Sequence, residues 1–335
     1  MKYIIYTITA ILLILFLRDI DYELLLLQVD QLGYKIIGVI IISLVAYLFG
    51  TLAWMFSINS IFNIRHLGRF FIVRQIGEAL SVTNPTGIIA GDAIKVYLMS
   101  KVGYNTSQIS QSVIISRLLT WFSYLLVVLF VLVFLIDDVF TSKLVSVITF
   151  ICLVGVAALL LLLLFHKDLW LHKLLVHIHR LTGWRYLQKH LPTIEAYNKD
   201  IYTLRKARPN YILITIGLLV LHYFAGALEY YYILRILNVD ISFLSALSME
   251  VGTSLLRSVM AFIPGQIGVE EYGNKYFLSM LNVKDEGVWV VVSILRRIRQ
   301  LWWILFGLIS YIMYTKKNSK KLNHIKIASD GYIVH

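Results

Sequence analysis

The sequence predicts an all-α polytopic membrane protein, arranged as an inverted repeat with two re-entrant helical hairpins and about six full spans. Three observations predict this fold class. The 335 residues are 59% apolar with a mean hydropathy of +0.76, which is typical of an integral membrane protein rather than a soluble domain. Several apolar stretches are long enough to cross a bilayer. Two motifs that contain proline and glycine interrupt the apolar sequence at corresponding places.

Both motifs place helix-breaking residues in sequence that is apolar enough for a bilayer. Residues 84–92 read NPTGIIAGD, and residues 262–271 read FIPGQIGVEE. Proline removes a backbone donor and glycine removes side-chain cover, so a spanning helix is expected to break at each motif. The residues expected to form these breaks are Asn84, Pro85, Gly87, Gly91, Pro264, Gly265 and Gly268.

The two motifs share one sequence register, because Pro85 and Pro264 are 179 residues apart. The same offset pairs residues of like type elsewhere, namely Gly38 with Gly217, Asp92 with Glu271, Tyr97 with Tyr276, Ser100 with Ser279, and Arg117 with Arg296. Several matches at one offset without a gap indicate an internal repeat, and repeated halves with broken helices are typical of transporters. We therefore predict one integral membrane domain over residues 1–335, with repeats at 36–138 and 211–315.

Hydropathy predicts the remaining elements. Full spans are expected at residues 3–17, 36–61, 109–136, 144–165, 211–237 and 288–314. The first of these is interpreted as a retained helix rather than a signal peptide, because charged residues follow it instead of a cleavage site. Residues 70–82 and 88–99 are each too short to cross alone, so together they are expected to form a re-entrant hairpin. Residues 243–263 and 269–281 flank the second motif in the same way and are expected to form the second hairpin.

Charge predicts the orientation of the chain. Residues 166–209 interleave apolar with basic residues and are predicted to form an amphipathic cytoplasmic connector, and the basic tail at 316–335 is predicted to be mobile and cytoplasmic. The segment 65–74 and both termini then also lie in the cytoplasm, whereas the acidic residues at 19–30 and 137–138 lie outside. With this topology the first hairpin enters from the cytoplasm and the second from the opposite side, so the repeat is inverted.

Ionisable side chains within the apolar segments are the candidate functional residues, since charge at membrane depth usually marks a cavity that holds water or a ligand. The predicted phosphate-binding cations are Arg117, Arg296, Arg257 and Lys95. The predicted cavity carboxylates are Glu78, Asp92, Glu250, Glu270 and Glu271. Their expected role is to bind a cationic group or a coupling proton. Guanidinium groups match phosphate oxygens, and helix N-termini after the breaks would add N–H donors.

A purely structural role for these charges is the alternative. In that case Arg117, Arg296 and Arg257 pair with Asp92, Glu271 and Glu250 and only close the fold. Arg297 and Arg299 are weaker candidates for the phosphate, because one helical face cannot hold them together with Arg296, and some of the three are expected to reach a surface.

Other chemistries lack their sequence motifs. The sequence has no P-loop, dinucleotide fingerprint, HExxH or GxSxG motif, so no cofactor, metal or catalytic residue is predicted. The net charge of +12 lies mainly between apolar segments, where it orients a membrane protein, and does not predict nucleic-acid binding. The single cysteine, Cys152, offers no disulfide framework, and His172, His177 and His179 lack further ligands at metal-binding spacing.

Residues 84–99, followed by Arg117, resemble the first signature of the lysylphosphatidylglycerol synthase transmembrane-region family of flippase-like membrane proteins. Residues 262–271 with the later arginines at Arg296 resemble the second, and the resemblance covers nearly the whole chain in length and hydropathy. The sequence departs from the family at Lys95, where arginine is expected, because lysine keeps the charge but loses the bidentate geometry. The chain also leaves no room for the soluble aminoacyl-transferase domain, so we do not expect it to make lysyl-lipid.

The resemblance implies lipid flipping by a multi-pass protein of a prokaryotic cytoplasmic membrane. Members are tied to aminoacylated phospholipids, hopanoids, other phospholipids and polyprenyl-phosphate pathways, so the lipid is not identified. We expect a phosphate-bearing lipid to cross by alternating access, with its head group on the arginines. The alternatives are a membrane enzyme or accessory subunit acting on a lipid-phosphate, with Glu270 or Glu271 as general base, and a scaffold that recruits acidic lipids. Partner hypotheses are membrane lipids, a second copy of the chain, and a lipid-modifying enzyme.

Overall fold

The computed structural model describes residues 33–58, 63–83, 87–139, 209–260, 268–283 and 286–330, together with positions 151, 154, 155, 158, 263 and 266. Within these ranges the chain is helical and has no strand, which confirms the all-α class. The predicted first span, the acidic loop after it and Cys152 lie outside the described residues. So do most of the fourth span, nearly all of the connector, and the break residues Asn84, Pro85, Pro264 and Gly265.

The described part of the chain holds eight α-helices and one short 3₁₀ turn at Ile64–His66. In chain order the helices are α1 at Lys35–Phe56, α2 at Leu67–Thr83, α3 at Ile88–Lys101, α4 at Thr106–Val139, α5 at Pro209–Ile236, α6 at Phe243–Val259, α7 at Val269–Met280 and α8 at Glu286–Asp330. Their boundaries follow the predicted breaks, since α2 ends at Thr83, directly before the first motif, and α3 begins at Ile88, within it.

Three of these helices are long and apolar enough to cross a membrane, namely α1, α4 over Thr106–Val133 and α5 over Asn210–Ile236. They correspond to the spans predicted at 36–61, 109–136 and 211–237. Helix α8 begins at the expected place but is not among these three, and it carries three arginines at positions 296, 297 and 299. It also continues to Asp330, past the expected end at Tyr314 and into the tail that was expected to be mobile.

Helices α2 and α3 pack against each other in opposite directions, as expected for a hairpin. At the base of this hairpin the hydroxyl of Tyr104 lies 2.6 Å from Nδ1 of His66. Closer to the break the backbones approach so tightly that a Cβ on Gly91 would meet the carbonyl oxygen of Gly77 and the hydroxyl of Ser81. Small residues at this contact let α2 and α3 pack closely beside each other.

Helices α6 and α7 form the second pair. A Cβ on Gly252 would meet the ring of Phe277, and one on Gly273 would meet Leu256 and Thr253, so α6 and α7 also run in opposite directions. The break before α7 has a backbone conformation similar to one in the first break. Gln266 has φ +52°, close to the φ of +53° at Gly87, which is its equivalent at the offset of 179 residues.

The bases of the two hairpins lie at opposite ends of α1. One apolar cluster joins Trp54, near the end of α1, to Phe70 and Met99 at the base of the first hairpin. Another joins Val39, near the start of α1, to Leu278 at the base of the second hairpin. Val39 and Trp54 are 15 residues apart on α1, so about 22 Å separates the two contacts, which is most of the roughly 30 Å thickness of a bilayer core. This arrangement favours the inverted repeat, which stays a prediction together with the re-entry of the hairpins into a membrane.

Helix α8 contacts both clusters. Val291 and Leu295 in its first turns pack in the cluster at the second hairpin, and Tyr311 and Tyr314 pack against the cluster at the first. The arginines of α8 lie between these two contacts along the helix, so packing at both ends places them in the interior of the bundle.

Candidate functional site

A polar cavity of about 550 Å³ lies between the hairpins and is lined by side chains from all eight helices. Gly87, Ile263 and Gln266, which belong to the two helix breaks, line it as well. Its volume is within the range of small-molecule binding sites. Most of the predicted site residues line this one cavity, namely Arg117, Arg296, Arg257, Lys95, Glu78, Asp92, Glu250 and Glu270. Glu271 does not line it.

The first hairpin and α4 supply four of these residues, Glu78, Asp92, Lys95 and Arg117, which we call the Asp92 cluster. The guanidinium of Arg117 donates two hydrogen bonds of 2.9 Å to the two oxygens of Asp92. Nζ of Lys95 donates to Glu78 at 3.0 Å and to Asp92 at 3.2 Å. The cluster is open to solvent, since the side chain of Arg117 is 32% exposed.

The guanidinium of Arg296 is enclosed by the carboxylates of Glu229, Glu250 and Glu270. These four residues, together with Arg257 and Arg299, form what we call the Arg296 cluster. The Nε of Arg296 donates to Glu270 at 2.5 Å, its Nη1 donates to Glu229 at 3.3 Å and its Nη2 donates to Glu250 at 3.4 Å. Its guanidinium carbon also lies 4.0 Å from the centre of the Tyr230 ring. Only 1% of the side chain is exposed, so an added anion would have to displace a carboxylate to reach it.

The other cations of this cluster share the same carboxylates. Arg257 donates to Glu250 at 3.0 Å, and Arg299 lies 3.1 Å from Glu229. Gly226 of α5 makes room for this arrangement, because a Cβ there would lie 2.8 Å from the carboxyl carbon of Glu250. Three cations and three carboxylates therefore balance one another within the cluster.

Arg297 binds Glu271 outside the cavity lining. Two hydrogen bonds of 2.6 and 3.0 Å join the guanidinium to the carboxylate. The same guanidinium donates to the carbonyl of Gln266 at 2.9 Å, and Glu271 accepts from the backbone N–H of Gly268 at 2.8 Å. This ion pair therefore holds the backbone of the break before α7 in place. Gly268 in this break has a left-handed φ of +83°, which suits glycine.

The repeat register predicts the wrong partner for Arg296. The expected pairs Arg117–Asp92 and Arg257–Glu250 are present, but Arg296 pairs with Glu270, and Glu271 pairs with Arg297. Successive residues of a helix point about 100° apart, so adjacent side chains of α7 face different neighbours and the register of a repeat cannot choose between them. Each of the three arginines of α8 is held by a carboxylate, and their side chains are 1%, 18% and 12% exposed in chain order.

Arg74 and His222 line the cavity but were not among the predicted site residues. Arg74 donates to the carbonyl of Tyr47 at 3.0 Å and lies over the ring of the same residue. Nδ1 of His222 donates to the carbonyl of Ala46 at 2.8 Å, since a carbonyl can only accept. Helical spacing was the available signal, because Arg74 lies four residues before Glu78 on one face of α2.

The part of the chain that the structure describes contains no group of three or more histidine, cysteine or acidic residues arranged to hold a metal ion. Where carboxylates do converge, the cation between them is the guanidinium of Arg296. Glu270 and Glu271, the candidates for a general base, are each bound by an arginine, which favours charge balance over proton transfer.

Comparison with known proteins identifies the family. The family model described as lysylphosphatidylglycerol synthase TM region matches residues 3–307. No curated protein and no solved structure matches the chain.

Proposed function

The chain belongs to the lysylphosphatidylglycerol synthase transmembrane-region family, and from this premise we propose that it moves a phosphate-bearing lipid across the cytoplasmic membrane of a prokaryote. In this proposal the head group enters the cavity between the hairpins while the acyl chains stay in the bilayer. Both termini lie in the cytoplasm, and the protein alternates between states that open to either side. A second copy of the chain or a lipid-modifying enzyme is a further proposed partner.

One observation carries the proposal. A single cavity receives the charged residues of both predicted repeats, Arg117 and Asp92 from the first and Arg296 and Glu270 from the second. Transfer of a phosphate group from water into hydrocarbon costs free energy. A series of ion pairs across the bundle lowers that cost, because charged side chains replace the water around the phosphate. Arg117 is the cation of the two repeats that an incoming phosphate reaches more easily, because its side chain is partly exposed.

The difference between the clusters supports alternating access. The Asp92 cluster is the more open one, with Arg117 at 32% and Glu78 at 35% exposure. In the Arg296 cluster Arg257 is 24% exposed, but Arg296 and Glu229 are only 1% and 2% exposed. A carrier that alternates between two states needs one side closed while the other is open. The proposed transport cycle would open the Arg296 cluster by separating Arg257 and Arg296 from their shared carboxylates.

The test is transfer of tail-labelled fluorescent phosphatidylglycerol in proteoliposomes that contain the purified chain. We expect Arg117→Ala to slow transfer at least roughly tenfold, because a charge-assisted contact to phosphate is lost. The variant should stay folded, since Asp92 keeps Lys95 as a partner. Arg69→Ala is the matched control, because Arg69 is exposed on the same hairpin and lies outside the cavity lining.

Two results would contradict the proposal. Equal transfer by the Arg117→Ala and wild-type proteins would remove Arg117 from the lipid path. Transfer no faster than in protein-free vesicles, by a wild-type protein that melts cooperatively, would remove the flippase function. Mass spectrometry of the lipids after incubation distinguishes the flippase from the alternative, a membrane enzyme. The enzyme hypothesis predicts altered lipid masses, and the flippase hypothesis predicts unaltered ones.

A further inference from the structure

The charges that line the cavity do not cancel. In the described residues the lining holds six cationic side chains, Arg74, Lys95, Arg117, Arg257, Arg296 and Arg299, and five carboxylates, Glu78, Asp92, Glu229, Glu250 and Glu270. Each carboxylate has at least one cation within 4.0 Å. The cavity therefore has one positive charge in excess and no carboxylate left without a partner.

Arg74 carries this excess charge. No carboxylate of the described chain lies within 4.0 Å of its guanidinium, which is instead hydrogen-bonded to the carbonyl of Tyr47 and stacked over its ring at 5.4 Å. Gly50 leaves room for this guanidinium, because a Cβ on Gly50 would lie 2.6 Å from Nη2 of Arg74. A planar cation that faces a polar cavity and has no carboxylate within 4.0 Å can bind an anion.

Arg299 adds an unused donor to the same cavity. Its Nη1 is paired with Glu229 at 3.1 Å, but its Nε is buried and has no hydrogen-bond partner in the described structure. A buried donor without a partner costs free energy, and an anion with several oxygen atoms would supply an acceptor.

We infer that the cavity selects lipids whose head group is net negative, and that Arg74 contacts the phosphate of that head group. The inference rests on the proposed function for the lipid itself. An anionic head group would neutralise the excess charge. A cationic head group such as a lysine ester would add to it, and would find each lining carboxylate already bound to lysine or arginine.

Binding of soluble head-group analogues tests the inference without transport. Trp54 and Trp121 line the cavity, so their fluorescence reports occupancy in the detergent-purified full chain. We expect a saturable change with glycerol 1-phosphate and none with lysine methyl ester at matched ionic strength. Arg74→Gln should weaken glycerol phosphate binding roughly tenfold, as for loss of a charge-assisted hydrogen bond. Arg74→Lys should retain part of the affinity, and Arg69→Gln should leave it unchanged.

Transfer of two fluorescent lipids in proteoliposomes tests the selectivity. The wild-type chain should move phosphatidylglycerol faster than lysyl-phosphatidylglycerol, and Arg74→Gln should reduce the ratio of the two rates. Faster transfer of the cationic lipid, or an unchanged ratio in Arg74→Gln, would overturn the inference.

The failures of the two proposals are distinguishable. Binding of glycerol phosphate that depends on Arg74, without transfer of either lipid, would support the anion site and overturn the flippase function. Transfer of both lipids at equal rates, without binding of glycerol phosphate, would overturn the anion site and leave the flippase function supported. Thermal melting of each variant shows whether it is folded. If Arg74→Gln does not fold, the preference of the wild-type chain for the anionic lipid and the glycerol phosphate affinity of Arg74→Lys decide the outcome.

Discussion

Arg296 is the most enclosed charge in the described structure, with three carboxylates and an aromatic face around one guanidinium. Removing one member of a buried ion cluster leaves the others uncompensated, which costs more than the cluster contributes when intact. Arg296 therefore has a structural role that Arg117 does not share, even though the repeat register treats the two residues as equivalents.

We predict that Arg296→Gln destabilises the protein by about 3–5 kcal/mol, because the buried carboxylates of Glu229, Glu250 and Glu270 are then left with only two cations. Arg117→Gln should cost far less, since its partner Asp92 retains Lys95 and the pair is partly exposed. Thermal melting in detergent of the two variants and the wild-type protein measures the difference. Equal melting temperatures for Arg296→Gln and wild type would show that the cluster does not hold the helices together.

Residue patterns in the sequence predicted which charges gather around the cavity but not how they pair. Asp92 and Arg117 could be matched because neither has a second residue of the same charge directly beside it in the sequence. The adjacent Glu270 and Glu271 could not be assigned, since the rotation of α7 decides which one faces Arg296. Arg74 was missed because it was counted with the cytoplasmic loop charges, whereas α2 starts at Leu67 and turns Arg74 inward.

At the scale of elements, glycine contacts hold the first hairpin together. The carbonyl of Gly77 occupies the place where a side chain on Gly91 would lie, and Ser81 lies beside it. Since a backbone carbonyl cannot move aside without shifting its helix, even a methyl group must separate α2 from α3. That separation would also displace Asp92 and Lys95, which follow Gly91 on α3.

We predict that Gly91→Ala lowers the melting temperature and slows lipid transfer, whereas Gly68→Ala leaves both unchanged. Gly68 lies on the same hairpin, but a Cβ there would meet no atom within 4 Å. The expected destabilisation is on the order of 1–3 kcal/mol, as for overpacking of a tight contact. If both alanine variants melt alike, the close approach of α2 and α3 does not limit stability.

Hydropathy and helix breakers located the elements well, because proline and glycine act locally on the backbone. The spans at 36–61, 109–136 and 211–237 became α1, α4 and α5, and both short pairs became packed helices. Helix α8 continues past Tyr314, the predicted end of the last span, since a basic composition does not by itself end a helix when lysine is a good helix former.

For the whole molecule, the position of each hairpin base relative to α1 favours the predicted inverted repeat. Trp54 marks one end and Val39 the other. Sequence register suggested two halves, and charge suggested their orientation, but neither could show that both breaks line the same cavity. That required the packing of all eight helices.

Cysteine accessibility tests the inverted topology in a Cys152→Ser background, which removes the only native thiol. We predict that a membrane-impermeant maleimide labels Asp240→Cys and Met280→Cys in intact cells, because both ends of the second hairpin face outside. Arg65→Cys and Ser107→Cys should react only after permeabilisation. Opposite behaviour of Arg65→Cys and Ser107→Cys would mean that the first pair of helices crosses the membrane completely, and the re-entrant interpretation would be wrong.

Helix α8 packs near its start against the cluster at the second hairpin and near Tyr311 against the cluster at the first. Under the proposed function, we expect a tilt of this one helix to loosen its packing on one hairpin while it tightens its packing on the other. Under the proposed function, the two entrances of the cavity then exclude each other. A carrier with this coupling exchanges lipid between leaflets without a continuous water path, so the cell keeps its ion gradients during turnover.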